Sequence, residues 1–293
     1  MRAPRADLAV MGKILPAAEA VFRFAARRYR RTGSRAALGD AERERMREVF
    51  AHIHRTNGWG GSESASGPGS GIERTALLRD DLSRLVKELG IDTFLDAGCG
   101  DFHWMKEADF SVQRYIGVDV VPEIIARNQR LYSDATLEFR VGDITRDRLP
   151  RADLIFCRDC LVHLPLRGVF RALENFARSG ATFLLTTTFT AREANPEIPL
   201  GGWRPLNLRR APFNLPEPVR ELDERCPLDR GNYTDKRLAL WRLARRPRTL
   251  AIPWIPFFSR LLLGGREGDG LLHHGAIALP EPGAASAGRP RRG

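Results

Sequence analysis

The chain lacks any uninterrupted run of 18 apolar residues. Its most apolar stretch, residues 250–265, is broken by Pro253, Pro256 and Arg260, which excludes an ordinary membrane-spanning helix there. Cysteine is scarce. Four residues (Cys99, Cys157, Cys160 and Cys226) in 293 make no disulfide framework, and with no convincing secretory signal the expectation is free thiols in a reducing cytoplasm. Cys157-x-x-Cys160 followed by His163 has half the spacing of a zinc site, but a second Cys or His pair is missing, so no metal is expected. Only 4 of the 47 basic residues are Lys, a bias that coding composition explains as readily as phosphate recognition.

What is present points to a folded domain with basic ends. Hydrophobic residues make up 43% of the chain, with 15 Phe and 5 Trp, enough for a full core and too much for wholesale disorder. The net charge of +11 divides unevenly: residues 1–48 carry +6, residues 49–235 carry −3 and residues 236–293 carry +8. A middle without a basic stripe argues against nucleic acid as the partner. The expected location is the cytoplasm; the basic ends suit a solvated or core-docked helix first, with peripheral contact at an anionic inner-membrane surface as the alternative.

Residues 1–48 read as a basic helical extension, with Leu15, Ala18, Phe22, Ala25 and Tyr29 on one helical face. Residues 49–71 form a Gly/Ser-rich loop. Its string from Trp59 to Ser70 combines glycine hinges with one large ring and the polar Glu63, Ser64 and Ser66, which suits a lid as well as a packed structural loop. Residues 72–244 are the expected main domain. A helical pattern runs from Ile72 to a stop at Gly90, and short apolar runs follow at residues 92–96, 115–118, 137–141, 154–157 and 182–187, mostly separated by helical patterning. That alternation predicts βαβ units and a largely parallel sheet with ligands beyond the strands' carboxyl ends. After Thr190 the chain turns Pro-rich, expected as extended segments at the sheet edge, and closes on the apolar run from Leu238 to Leu243. Residues 245–293 are a C-terminal extension whose last dozen residues are expected to be disordered.

The most informative string is Phe94-Leu95-Asp96-Ala97-Gly98-Cys99-Gly100: a strand ends in an acid, and a two-glycine turn lets the backbone approach a nucleotide-like ligand. A dinucleotide fingerprint wants a third glycine where this chain has His103, which weakens a nicotinamide reading. Asp119 follows the second strand and Asp143 the third, so three carboxylates converge on one rim. Gly142-Asp143-Ile144 and the run Asp153 to Cys157, ahead of Asp159-Cys160-Leu161-Val162-His163-Leu164, complete an ordered set. Over about residues 72–243 this set resembles the class I S-adenosylmethionine-dependent methyltransferases. The Trp59 to Ser70 string, with Trp203-Arg204-Pro205, is similar to a bacterial group of methyltransferase-domain proteins of unknown acceptor.

The resemblance implies a Rossmann-like α/β fold: a mostly parallel, twisted seven-stranded sheet with helices on both faces and the run Leu238 to Leu243 as an antiparallel edge strand. It implies S-adenosyl-L-methionine as cofactor, with Asp96, Gly98 and Gly100 bordering the methionine moiety, Asp119 at the ribose hydroxyls, Asp143 with Ile144 at the adenine, and Arg158 flanking the cofactor. Asp159 and His163 are candidate bases, and Trp59, Glu63, Trp203 and Arg204 are candidates for the acceptor pocket. Each also has a plainer reading as a turn cap, a helix start or a core side chain. The expected function is methyl transfer to an O or N acceptor, a small molecule or glycan; a protein acceptor, or a non-catalytic scaffold on the same fold, is the alternative. Methyl transfer from a sulfonium rests mainly on positioning, so a missing catalytic dyad does not argue against an enzyme.

Overall fold

Residues 37–109, 111–224 and 233–243 are described by a computed structural model. The expectations for the helix around Leu15 to Tyr29, for Cys226 and for the C-terminal extension lie outside these residues. The first half runs α1 (Ala37–Thr56), α2 (Ala76–Leu89), β1 (Thr93–Ala97), β2 (Arg114–Asp119), α3 (Pro122–Tyr132) and β3 (Leu137–Val141). The second half runs β4 (Leu154–Cys157), α4 (Leu166–Ser179), β5 (Phe183–Phe189), β6 (Arg220–Asp223) and β7 (Lys236–Arg242).

Strand residues two apart share a face, and that period sorts the core into two layers. Leu95 and Ala97 of β1, Ile116 and Val118 of β2, Ile155 and Cys157 of β4 and Leu184 of β5 pack with Val169, Ala172, Leu173 and Phe176 of α4. The alternate residues, among them Phe94, Tyr115, Phe139, Phe156 and Leu185, pack with Leu78, Leu82, Leu85 and Val86 of α2 and Ile125 of α3. Helices therefore cover both faces, and the central strands read as continuous apolar runs because both sides are buried. Each fully buried Leu in these layers contributes roughly 1.5–3 kcal/mol.

The seven strands lie in the order β3-β2-β1-β4-β5-β7-β6. β1 to β5 pair in parallel, and β7 is antiparallel to both β5 and β6. The fold is the one expected, with one correction: the run from Leu238 lies in β7, second from the edge, and the outer strand is β6. The sequence Arg-Glu-Leu-Asp of β6 has no apolar alternation to announce it, and pairing to β7 makes it a strand. α2 begins at Ala76, four residues after the helical pattern, and ends as expected at Gly90, whose φ of 61° only glycine adopts freely. α1 runs through residue 48 without a break, and it docks Ala51 against Val121 and Ile124 beside β2. Among the described residues no helix is long and apolar enough to cross a membrane.

Candidate functional site

The chain crosses from β1 outward to β2 and β3, then returns to β4 on β1's other side, so a crevice opens beyond the carboxyl ends of β1 and β4. The turn after β1 lies at its floor. Gly98 N and Cys99 N donate to Val118 O at 2.8 and 3.1 Å, folding the turn back across β2. A Cβ at Gly98 (φ 89°) would sit 2.7 Å from Cys160 Sγ, and one at Gly100 (φ 55°) 2.3 Å from Ser66 Oγ. Only glycine allows both the conformation and the approach. The resulting cleft is bordered by Asp96, Asp119, Asp143, Ile144, Asp159 and His163, with Trp59 and Phe50 also in its lining.

The three strand-end acids meet there in different states. Asp96 accepts a 2.6 Å hydrogen bond from Tyr115 Oη. Burial, helped by Asp119, pushes it up to about 7 against the opposing pull of Tyr115 and Arg158. Asp119 accepts from Gly100 N at 3.1 Å and Val121 N at 3.0 Å, and burial raises it too. Asp143 Oδ1 accepts from Thr145 N and Oγ1 at 2.8 and 2.6 Å, while its buried Oδ2 accepts no hydrogen bond among the described residues.

His163 lines the same cleft, on a short 3-10 turn (Leu161–His163) after β4. Its ring stacks on Trp59 with centroids 4.5 Å apart, and its Nδ1 lies 2.8 Å from Gly202 O. A carbonyl oxygen only accepts, so Nδ1 carries the proton and Nε2 keeps its lone pair. Burial lowers the histidine below its ordinary value, assisted by Arg204 and Lys236 and opposed by Gly202 O and Asp159.

Arg158 and Asp159 belong to a charged set at the cleft's margin. Arg158 donates to Glu224 Oε2 at 2.7 and 3.2 Å and to Gly69 O at 3.0 Å, and its guanidinium lies 5.3 Å from the Trp104 ring centre. Lys236 Nζ donates to Asp159 Oδ2 at 2.6 Å. Burial would raise Asp159, but Lys236 and Arg158 outweigh it and hold the carboxyl well below the usual range. Asp159 is thus a committed carboxylate and a poor proton acceptor, and Arg158 spends its donors on protein groups.

Three acceptor-pocket assignments change. Glu63 lies on the exposed side of its loop, where Oε2 accepts from Ile72 N at 3.0 Å and faces His103 Nε2 at 3.5 Å, so it ties the loop to the approach of α2. Trp203 is 44% exposed and meets Phe189 and Tyr233 edge-on outside the cleft. Arg204 is buried, with Nη1 donating to Leu164 O at 2.7 Å, and borders no part of the cleft. The structure also brings in residues that sequence reasoning missed. Asp101 accepts from Ser64 Oγ at 2.8 Å and Ser66 Oγ at 3.1 Å; its place directly after Gly100 was the available signal. Phe50 and His54 line the cleft from α1, which runs on through Thr56 into residues read from the sequence as a Gly/Ser-rich loop.

Residues 94–180 match the family model described as a methyltransferase domain. No curated protein matches the chain. Among solved structures, the methyltransferase domain of bacterial CtHen1-C is 14% identical, with 60% of this chain and 100% of that one covered and a TM-score of 0.44. The N-methyltransferase NodS from Bradyrhizobium japonicum WM9 is 18% identical, with 59% and 97% covered and a TM-score of 0.42. Magnesium protoporphyrin IX methyltransferase (ChlM) from Synechocystis PCC 6803, with bound S-adenosylhomocysteine, is 17% identical, with 41% and 57% covered and a TM-score of 0.34. This chain thus spans little more than half the length of the cyanobacterial protein.

Proposed function

Starting from the class I S-adenosylmethionine-dependent methyltransferase domain that the chain carries, we propose that it moves a methyl group to an O or N acceptor, a small molecule or glycan, with His163 as the base. The observation that carries this reading is the His163 ring, which lines the cleft with its proton fixed on Nδ1 and Nε2 left as a hydrogen-bond acceptor.

The cleft residues fit the cofactor. Asp143 Oδ2 is a buried acceptor that takes no hydrogen bond among the described residues, its ion-pair partner Arg146 Nε lying 3.5 Å away, which leaves it able to accept from an adenine amine, with Ile144 against the base. Asp119 is proposed at the ribose hydroxyls, a role its bonds to Gly100 N and Val121 N would hold in place. Asp96, Gly98 and Gly100 are proposed to border the methionine moiety, where burial alone would keep Asp96 partly protonated and a neighbouring cation would ionise it. Bound S-adenosylmethionine supplies a methyl group on a cationic sulfur, activated for in-line transfer. His163 Nε2 takes the proton that an acceptor hydroxyl or ammonium must lose, while Trp59 holds the ring flat against the cleft wall. Asp159 orients this end of the cleft as a fixed negative charge. Met46, Phe50, Trp59 and Leu164 give the cleft apolar lining, which favours a compact acceptor over an extended polymer.

Isothermal titration with S-adenosylmethionine and S-adenosylhomocysteine, on the wild type and Asp119→Ala, tests the cofactor half. Transfer from methyl-labelled cofactor to metabolite, glycan and protein fractions tests the acceptor. Label entering only protein would favour a protein acceptor, and binding without transfer to any fraction would favour a scaffold.

A further inference from the structure

Three consecutive carbonyls of the turn that carries His163 are held by one short segment. Arg204 N donates to Val162 O at 3.2 Å, Gly201 N to His163 O at 3.0 Å, and Arg204 Nη1 to Leu164 O at 2.7 Å. The same segment accepts from the ring, through Gly202 O and His163 Nδ1 at 2.8 Å. It has no freedom to slide. Gly201 sits at φ 82°, and a Cβ there would come 2.7 Å from Ile53 Cδ1 and 2.8 Å from Val49 Cγ1 of α1. The clamp is therefore wedged between α1 and the histidine turn.

Arg204 is the costly part of this device. It is 2% exposed, and its Nε and Nη2 make no hydrogen bond among the described residues. A buried guanidinium with one strong acceptor is expensive to keep, whereas a Leu or Met of similar length would fill the space without that cost. What the guanidinium supplies and an apolar residue cannot is a directed bond to Leu164 O and a positive charge near the imidazole.

We propose that Arg204 is a positioning residue for His163: through Leu164 O and Val162 O it fixes the turn against Gly202, so that the imidazole presents Nε2, unprotonated, to the cleft. Arg204 acts through His163 and touches neither cofactor nor acceptor. The clamp deepens the reading of His163 as the base and rests on it for its catalytic meaning. Its geometric content stands apart, because the ring's tautomer is measurable without any acceptor. The charged groups acting on the ring are Asp159, which favours its protonation, and Arg204 and Lys236, which oppose it.

The test is a long-range proton–nitrogen correlation spectrum of the imidazoles in the full-length, nitrogen-15-labelled protein, with the His163 signals assigned by their loss in His163→Gln. The wild type is expected to show a single Nδ1–H tautomer at neutral pH. Arg204→Met should lose that tautomer to a mixture and shift the titration midpoint upward, toward the ordinary 6.5. Arg204→Lys, which keeps the charge and a donor, should retain both. If Arg204→Met does not fold, Arg204→Gln against Arg204→Lys makes the same comparison. An unchanged tautomer and midpoint in Arg204→Met or Arg204→Gln, or an Arg204→Lys spectrum as altered as theirs, overturns the proposal. If the ring responds as expected while His163→Gln transfers methyl groups at the wild-type rate, Arg204 positions the ring and the base assignment falls instead.

Discussion

Lys236 Nζ stands 2.6 Å from Asp159 Oδ2 and 3.0 Å from Glu224 Oε2, joining the first residue of β7 to the turn after β4 and to the residue after β6. Arg158 completes the set at 2.7 Å from Glu224 Oε2. Two cations and two carboxylates balance only together, since removing one leaves an uncompensated charge in a poorly hydrated place. Lys236→Met is expected to lower unfolding free energy by about 3 kcal/mol, the low end for a buried pair because Asp159 is 28% exposed. Asp159 sits below its ordinary 3.8, so its contribution is present above that value and lost as pH falls below it. Urea unfolding at a series of acid pH values should show this loss in the wild type and a flatter profile in Lys236→Met. Equal stability of the two proteins at neutral pH would refute it.

Asp96 predicts a pH-dependent affinity. Burial first, then Asp119, raises its carboxyl to about 7, so the stability tied to its proton is complete below the ordinary 3.8 and lost as pH rises through 7. A cationic ligand beside it favours the charged form, so binding of S-adenosylmethionine should release a proton. Below pH 7 the affinity should fall by up to tenfold per pH unit, on the order set by one titrating group. Calorimetry in buffers of different ionisation enthalpy counts the proton, and Asp96→Asn should abolish both the release and the pH slope. A wild-type affinity that is flat from about pH 6 to 8 would remove Asp96 from the cofactor's surroundings.

For His163 the prediction separates chemistry from binding. His163→Gln should reduce methyl transfer by roughly 10²–10⁴-fold to an acceptor that must lose a proton, with cofactor affinity unchanged. Because burial lowers the histidine, wild-type transfer should persist below its ordinary 6.5 and decline only at more acid pH. The pH profile of single-turnover transfer checks the second point. A weakened cofactor affinity in His163→Gln would mean the ring supports the cleft rather than the reaction.

These outcomes trace what the sequence can carry. Asp96, Gly98, Gly100, Asp119 and Asp143 are legible because each lies at or just beyond the carboxyl end of a strand, and parallel pairing brings those ends to one rim. Lys236 is 77 positions from Asp159, and nothing local to either marks the pair. Arg204, between Trp203 and Pro205, reads as a residue reaching for a ligand, whereas tertiary packing turns it inward to hold a backbone turn. α1 was misjudged for the same reason: its polar composition hides the few residues, Met46, Phe50 and His54, that face the cleft. Its docking combines apolar contacts, Ala51 with Val121 and Ile124 and Met46 and Phe50 on the core, with ion pairs of Glu42 to Arg146, Arg167 and Arg171 and of Arg43 to Asp147 at 2.5 Å.

The loop from Trp59 to Ser70 yields the last prediction, and the structure changes which residues test it. Its polar contacts reach the glycine turn and the residue after β4: Ser64 Oγ donates to the Asp101 carboxylate, Asp101 N donates to Ser66 Oγ at 3.1 Å, and Gly69 O accepts from Arg158 at 3.0 Å. Ser66 fills the space beside Gly100 that a side chain would occupy, so the loop presses directly on the backbone proposed to border the cofactor. A ligand that orders this turn should therefore order the loop, because the two share Asp101. Saturating S-adenosylhomocysteine is expected to slow amide exchange across residues 59–70. Asp101→Ala should speed that exchange in the free protein and weaken cofactor binding by about tenfold, the worth of one lost hydrogen bond to a charged group. Glu63→Ala, on the exposed side, should leave cofactor affinity unchanged, since its bond to Ile72 N lies away from the cleft. Exchange over residues 59–70 that ignores the cofactor, together with full affinity in Asp101→Ala, would make the loop a fixed wall rather than a cover.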